Sequence, residues 1–193
     1  MTLLKILFSA PAVDWIRFFL FTAGITAFIG VSEKARSALG WSPEVTRKLV
    51  HVGTGVLIVF SPLFFTSVKP LLWMAVLFIV VNFAGVRSGK IKGMHDTSRR
   101  SYGTVYYPLT FLVLTALCWN GYRSVLIVSM MVLAFSDAAA AVVGELMRKP
   151  HEYRLGADKK SLEGSAAMLA SSFLLIALFL PLVHLINSVS SGG

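Results

Sequence analysis

The chain has 193 residues, 56% of them hydrophobic and 14% charged, and a mean hydropathy of +0.75, which excludes an ordinary soluble domain and leaves an integral membrane protein. Eighteen lysines and arginines against nine acids give a net charge of +9; basic residues flanking membrane spans account for this without nucleic acid as a partner. The single cysteine, Cys118, excludes a disulfide framework or a thiolate cluster.

In chain order, Met1–Ala12 carries one lysine and a very short apolar core, too weak for a cleaved signal peptide, and reads as an interfacial segment. Six apolar stretches follow, about 13–31, 49–68, 70–86, 102–119, 125–144 and 166–189, each long enough to cross a bilayer as a helix. The predicted fold is an all-α, polytopic bundle of about six transmembrane helices forming one domain over 1–193. Fourteen of the eighteen basic residues fall in the three connections 32–48, 87–101 and 145–165, which lie on one side if the helices alternate. The positive-inside rule then places those loops in the cytoplasm and both termini outside. The cytoplasmic membrane of a prokaryote is the expected location. Trp15, Trp73 and Trp119 lie near the predicted outer ends, where interfacial tryptophans gather.

Ionisable groups inside spans are costly and therefore informative. Asp137, in "MMVLAFSDAAAAVVGEL", lies deep in the fifth span and shares a helical face with Glu145. It is expected to face the bundle interior, as a magnesium ligand, a catalytic base or a structural hydrogen-bond partner of Ser136, Asn82 or a lysine. The small residues Ala138–Ala141 and Gly144 let another helix or a ligand approach, within one subunit or between two, so a homo-oligomer is allowed. In "SPEVTRKLVHVGTG", Ser42 and Pro43 form a helix start, and Glu44, Arg47, Lys48 and His51 then share a face. Each of these alone is as readily a topology determinant or a core histidine. Together they look like an anion site, with His51 assisting proton transfer.

The segment "RLGADKKSLEGS" at 154–165 has two readings. Lys159 and Lys160 are flanking charges, with Asp158 or Ser161 capping the last helix; or the backbone N–H groups, a hydroxyl and two ammonium groups bind polyphosphate, with acids near enough to share magnesium. "GADKKS" is not a P-loop, since it lacks the second glycine and follows a membrane helix. Loop 87–101 is explained by topology or anionic lipid, and His95 with Asp96 lacks a further ligand at metal spacing.

Three segments in order, "RKLVH" at 47–51, "YGTVYYPLT" at 102–110, and "SDAAAAVVG" at 136–144 followed by "ADKKSLEGS" at 157–165, resemble the polyprenol kinases in the broad sense. These include dolichol kinase, phytol kinase and CTP-dependent diacylglycerol kinase, with a more distant likeness to phosphatidate cytidylyltransferases. The resemblance implies a nucleotide site, usually for CTP, at Asp137, Gly144, Lys159, Lys160, Ser161, Glu163 and Gly164, faced by Arg47, Lys48 and His51. Ser136 stands where the family often has glycine, and "ELMRKPHEYRLG" lacks the Gly-Arg-x-x-Gly turn common in relatives.

The expected activity is transfer of the terminal phosphate of CTP, or another nucleoside triphosphate, to the hydroxyl of a lipid alcohol such as a polyprenol, a phytol-like alcohol or diacylglycerol. Lys159 and Lys160 would clamp phosphates, Asp137 and Glu163 would hold Mg2+, Arg47 or Lys48 would stabilise the transferring group, and His51 or Asp137 would orient the hydroxyl. The rival expectations are a cytidylyltransferase and a non-enzymatic transporter or membrane subunit.

Overall fold

The computed structural model describes residues 8–41, 43–88, 103–147, 150–155 and 158–191. Ser42 and most of loop 87–101, including His95 and Asp96, lie outside the described residues, as do the side chains of Glu44, Glu145, Asp158 and Lys159. The helices are α1 (Ala12–Leu39), α2 (Pro43–Phe64), α3 (Val68–Ser88), α4 (Gly103–Cys118), α5 (Arg123–Met131), α6 (Asp137–Leu146) and α7 (Leu162–Ser191). A π-helical segment, Val132–Ser136, joins α5 to α6 without a break.

Five described helical stretches are long and apolar enough to cross a membrane: Ala12–Leu39, Val45–Phe64, Val68–Arg87, Arg123–Gly144 and Leu162–Leu182. The sixth expected span, α4, has 16 described residues. That is about 24 Å of helix, short of a hydrocarbon core of about 30 Å. The all-α membrane bundle therefore stands, with two local differences from expectation.

The first is that α1 runs eight residues past the predicted span, through "SEKARSAL", to Leu39. Hydropathy falls there, but helix-forming residues continue and the Arg36 guanidinium binds the Glu33 carboxylate one turn back. The helix stops only where Gly40 adopts the left-handed conformation (φ 66°) and the Trp41 N–H donates to the Arg36 carbonyl at 3.1 Å. The second is that the expected loop 145–165 contains an antiparallel β-hairpin, β1 (Glu152–Leu155) and β2 (Asp158–Ser161).

The chain forms two compact units, Met1–Arg123 and Ser124–Gly193. In the first, α1 packs on α2 and α3, and α3 packs on α4. Gly53 of α2 lies directly under the Phe28 ring of α1, where an added Cβ would stand 2.3 Å from the ring carbons. One end of this unit is tied by Asp14, which is fully buried. Its carboxylate accepts hydrogen bonds from the backbone N–H of Thr66 (3.1 Å) and Ser67 (2.7 Å), the Thr66 hydroxyl (2.8 Å) and Arg17 (3.1 Å). Phe8 stacks on Trp73 beside it, at 5.1 Å between centroids, and meets Trp15 at 5.5 Å. The other end is marked by His51 against Tyr107, with ring centroids 4.6 Å apart. The C-terminal end of α1 and the N-terminal ends of α2 and α4 therefore lie at one end of the unit and the α2–α3 turn at the other, as alternating spans require.

In the second unit α7 packs against the π segment and α6, and also meets β2. The π segment lies at the start of this contact. Its i→i+5 step carries one extra residue, which rotates the residues after it relative to a regular α-helix, and Ala140 and Gly144 lie at the contact. At the crossing a Cβ on Gly164 would meet the Ala140 carbonyl oxygen at 2.8 Å, and one on Gly144 would meet Ser161 Oγ at 3.0 Å.

Candidate active site

The second unit gathers most of the predicted nucleotide-binding residues around the start of α7. Ser161 is the N-cap: its Oγ accepts the Gly164 N–H at 3.1 Å, and its carbonyl accepts the Ser165 hydroxyl at 2.9 Å. Glu163 is held from the far side of the hairpin. His151 donates its backbone N–H to both carboxylate oxygens (3.2 and 3.1 Å) and brings ring Nδ1 within 2.7 Å of Oε1. The Leu162 N–H donates to the His151 carbonyl at 3.0 Å, and Tyr153 shares a 2.7 Å hydrogen bond with Ser165. The hairpin is thus fastened to the first turn of α7 at four points.

The register pairs Tyr153 with Lys160 and Arg154 with Lys159. The second pair sets two cationic residue types directly opposite, which destabilises a hairpin unless an anion compensates. Lys160 and Arg154 are exposed. Basic residues beside the positive end of a 30-residue helix make an electropositive surface suited to phosphate oxygens.

Asp137 does not face inward as expected. It is exposed, and its neighbour Ser136 is fully buried with an Oγ that has no hydrogen-bond partner among the described residues. Asp137 lies about one helical turn deeper than the Ala140–Gly164 contact. In donor type, Asp137 and Glu163 suit Mg2+, which takes one or two carboxylates and leaves its other positions to water and phosphate oxygens. The described residues contain no cluster of three or more His, Cys, Asp or Glu side chains that could hold a metal without such outside ligands.

Arg47, Lys48 and His51 belong to the first unit, on the opening turns of α2, and all three are half-buried. Helix α2 begins at Pro43, as its sequence indicates.

Among curated proteins the chain is 30% identical over 154 residues to the phytol kinase of Synechocystis sp., covering 74% of this chain and 61% of that protein. It is also 30% identical over 176 residues to a probable chloroplastic phytol kinase of Triticum aestivum, covering 83% of this chain and 57% of that protein. The chain belongs to the polyprenol and phytol kinase family. It spans about three-fifths of the length of these two relatives. No family model matches it, and no solved structure matches it.

For this family member, sequence reasoning missed His151, Tyr153 and the hairpin that carries them. The signal was present: "EYRL" alternates polar residues with tyrosine and leucine, and a glycine follows. A run of cationic and small residues after a membrane helix reads more readily as a loop. Ser161→Ala should cost about 1 kcal/mol of stability through loss of the cap, measured as a lowered unfolding midpoint. Ser161→Thr should retain most of that stability.

Proposed function

We propose that the protein is a membrane-embedded lipid-alcohol kinase using CTP, or another nucleoside triphosphate, as phosphate donor. The observation that carries this reading is the basic hairpin fastened to the N-terminus of α7, with Arg154 opposite Lys159 and Lys160 beside them. Kinship with proteins named phytol kinase supports a long-chain isoprenoid alcohol as acceptor.

In this reading Lys159, Lys160 and Arg154 neutralise the donor's phosphates. Asp137 and Glu163 are the residues that would hold Mg2+, which when bound supplies charge neutralisation on the phosphate oxygens. The acceptor's hydroxyl oxygen bonds to the terminal phosphorus, the bond from that phosphorus to the bridging oxygen breaks, and nucleoside diphosphate leaves. The hydroxyl proton passes to His51 or Asp137, while Arg47 and Lys48 offset charge on the transferring group. The site is read as facing the cytoplasm of a prokaryotic cell, where nucleotide is available.

The test is product analysis with CTP labelled in the terminal phosphate or in the base, offered to purified protein with isoprenoid alcohols, diacylglycerol and phosphatidate. Terminal label alone entering the lipid is the expected result; base label entering it would make the protein a cytidylyltransferase. Lys160→Ala should raise the KM for nucleotide at least tenfold, given roughly 1.5–3 kcal/mol for a charge-assisted hydrogen bond. Unchanged nucleotide dependence in that variant would place the donor elsewhere.

A further inference from the structure

The helix α4 carries a group of polar atoms that the described fold does not satisfy. Tyr107 is 8% exposed, yet its hydroxyl has no hydrogen-bond partner among the described residues, and neither does the buried Oγ1 of Thr104 one turn earlier. A third group joins them, because Pro108 lacks the N–H that would close on the Thr104 carbonyl in a regular helix. Helical side chains lean toward the N-terminus, so the phenol covers the turn on which Thr104 stands. The His51 ring meets the Tyr107 ring edge-on at 4.6 Å.

Buried hydroxyls without partners are rare, because each forfeits the water it left behind. Two of them with an unclosed carbonyl, on one turn beside an imidazole, describe a seat for a ligand group that both donates and accepts hydrogen bonds. The surroundings are otherwise apolar: Val105, Pro108 and Phe111 are buried on the same helix. A hydroxyl on a hydrocarbon chain fits such a seat, because the two unpartnered groups are neutral hydroxyls that can each donate and accept; Arg47 and Lys48, one turn before His51 on α2, are the groups there suited to phosphate.

We propose that Tyr107 and Thr104, beside His51, form the binding seat for the hydroxyl of the lipid acceptor. This inference rests on the lipid-alcohol kinase reading and assigns the acceptor end of it. The Tyr107 hydroxyl and Thr104 Oγ1 hold the alcohol oxygen in one orientation, and His51 stands where it can receive that alcohol's proton.

The experiment compares wild type, Tyr107→Phe and Thr104→Val in detergent micelles, without nucleotide, for binding of phytol and of the C20 hydrocarbon that lacks its hydroxyl. Wild type should prefer the alcohol by about fivefold or more, the scale of one or two hydrogen bonds. Tyr107→Phe should bind both compounds alike and unfold at the same temperature or higher, because it removes a group that nothing satisfied. In turnover, each variant should raise the KM for alcohol and leave the KM for nucleotide unchanged. The proposal falls if Tyr107→Phe keeps the alcohol preference, lowers the unfolding temperature, or changes the KM for nucleotide instead. The binding arm separates the two readings: a hydroxyl preference abolished by Tyr107→Phe upholds the seat even if no lipid becomes phosphorylated, an outcome that would sink the kinase reading alone.

Discussion

Replacing Gly164 with alanine should destabilise the second unit by about 2 kcal/mol, the usual scale for overpacking a close contact. In an isolated helix the same change would add up to about 1 kcal/mol of stability. The sign reverses because the new Cβ would stand 2.8 Å from the Ala140 carbonyl oxygen and 3.0 Å from Ser161 Oγ. The carbonyl belongs to helix backbone and cannot rotate aside, so α6 and α7 must separate. Ser161 also supplies the cap at that point, so the hairpin loses its anchor as the helices part. Gly30→Ala is the control: it lies within α1 with nothing inside 4 Å of the added Cβ, and should be neutral or stabilising. Thermal unfolding in detergent, followed by circular dichroism, distinguishes the two signs. Equal effects at both positions would mean that the α6–α7 approach is looser than the structure has it. Activity should fall further than stability in Gly164→Ala, because the displaced elements carry Lys159, Lys160 and Glu163.

Asp14→Ala should cost about 2–3 kcal/mol, a large effect for one replacement in the first unit. The carboxylate is fully buried and is the shared acceptor for two backbone N–H groups and a hydroxyl at the α2–α3 turn. Removing it breaks all three bonds, leaves a cavity at a fully buried position and takes the partner from the half-exposed Arg17 guanidinium, while the exposed Thr66 can recover part of its bonding from water. Asp14→Asn should recover only part of the loss, because its NH2 would point a donor at donors. Chemical denaturation gives the stability change. At a temperature where the variant remains folded, nucleotide and alcohol KM should match wild type, since Thr66 is 15 residues from His51 in the chain and about 20 Å away along the axis of α2. A variant that folds normally would show that the turn is held by other contacts.

The amino-acid sequence by itself determined the membrane class, the approximate spans, the start of α2 at Pro43 and the kinase family, because hydropathy, helix-start residues and short motifs are local properties. It ended the first span at 31, whereas the structure carries α1 on to Leu39 and stops it at Gly40. It identified the segment around 154–165 as chemically loaded but could not say how it is held. That depends on pairs far apart in sequence: His151 with Glu163, Tyr153 with Ser165, and Ala140 with Gly164. Asp14 went unremarked for the same reason, since its partners lie 52 and 53 residues away. Asp137 was expected to face inward because an ionisable group on the lipid side of a span is costly. Only the tertiary structure shows that Ser136 takes the buried place and Asp137 is exposed, because which face of this span is covered depends on the packing of α7 against the π segment and α6, helices that meet through residues far apart in sequence.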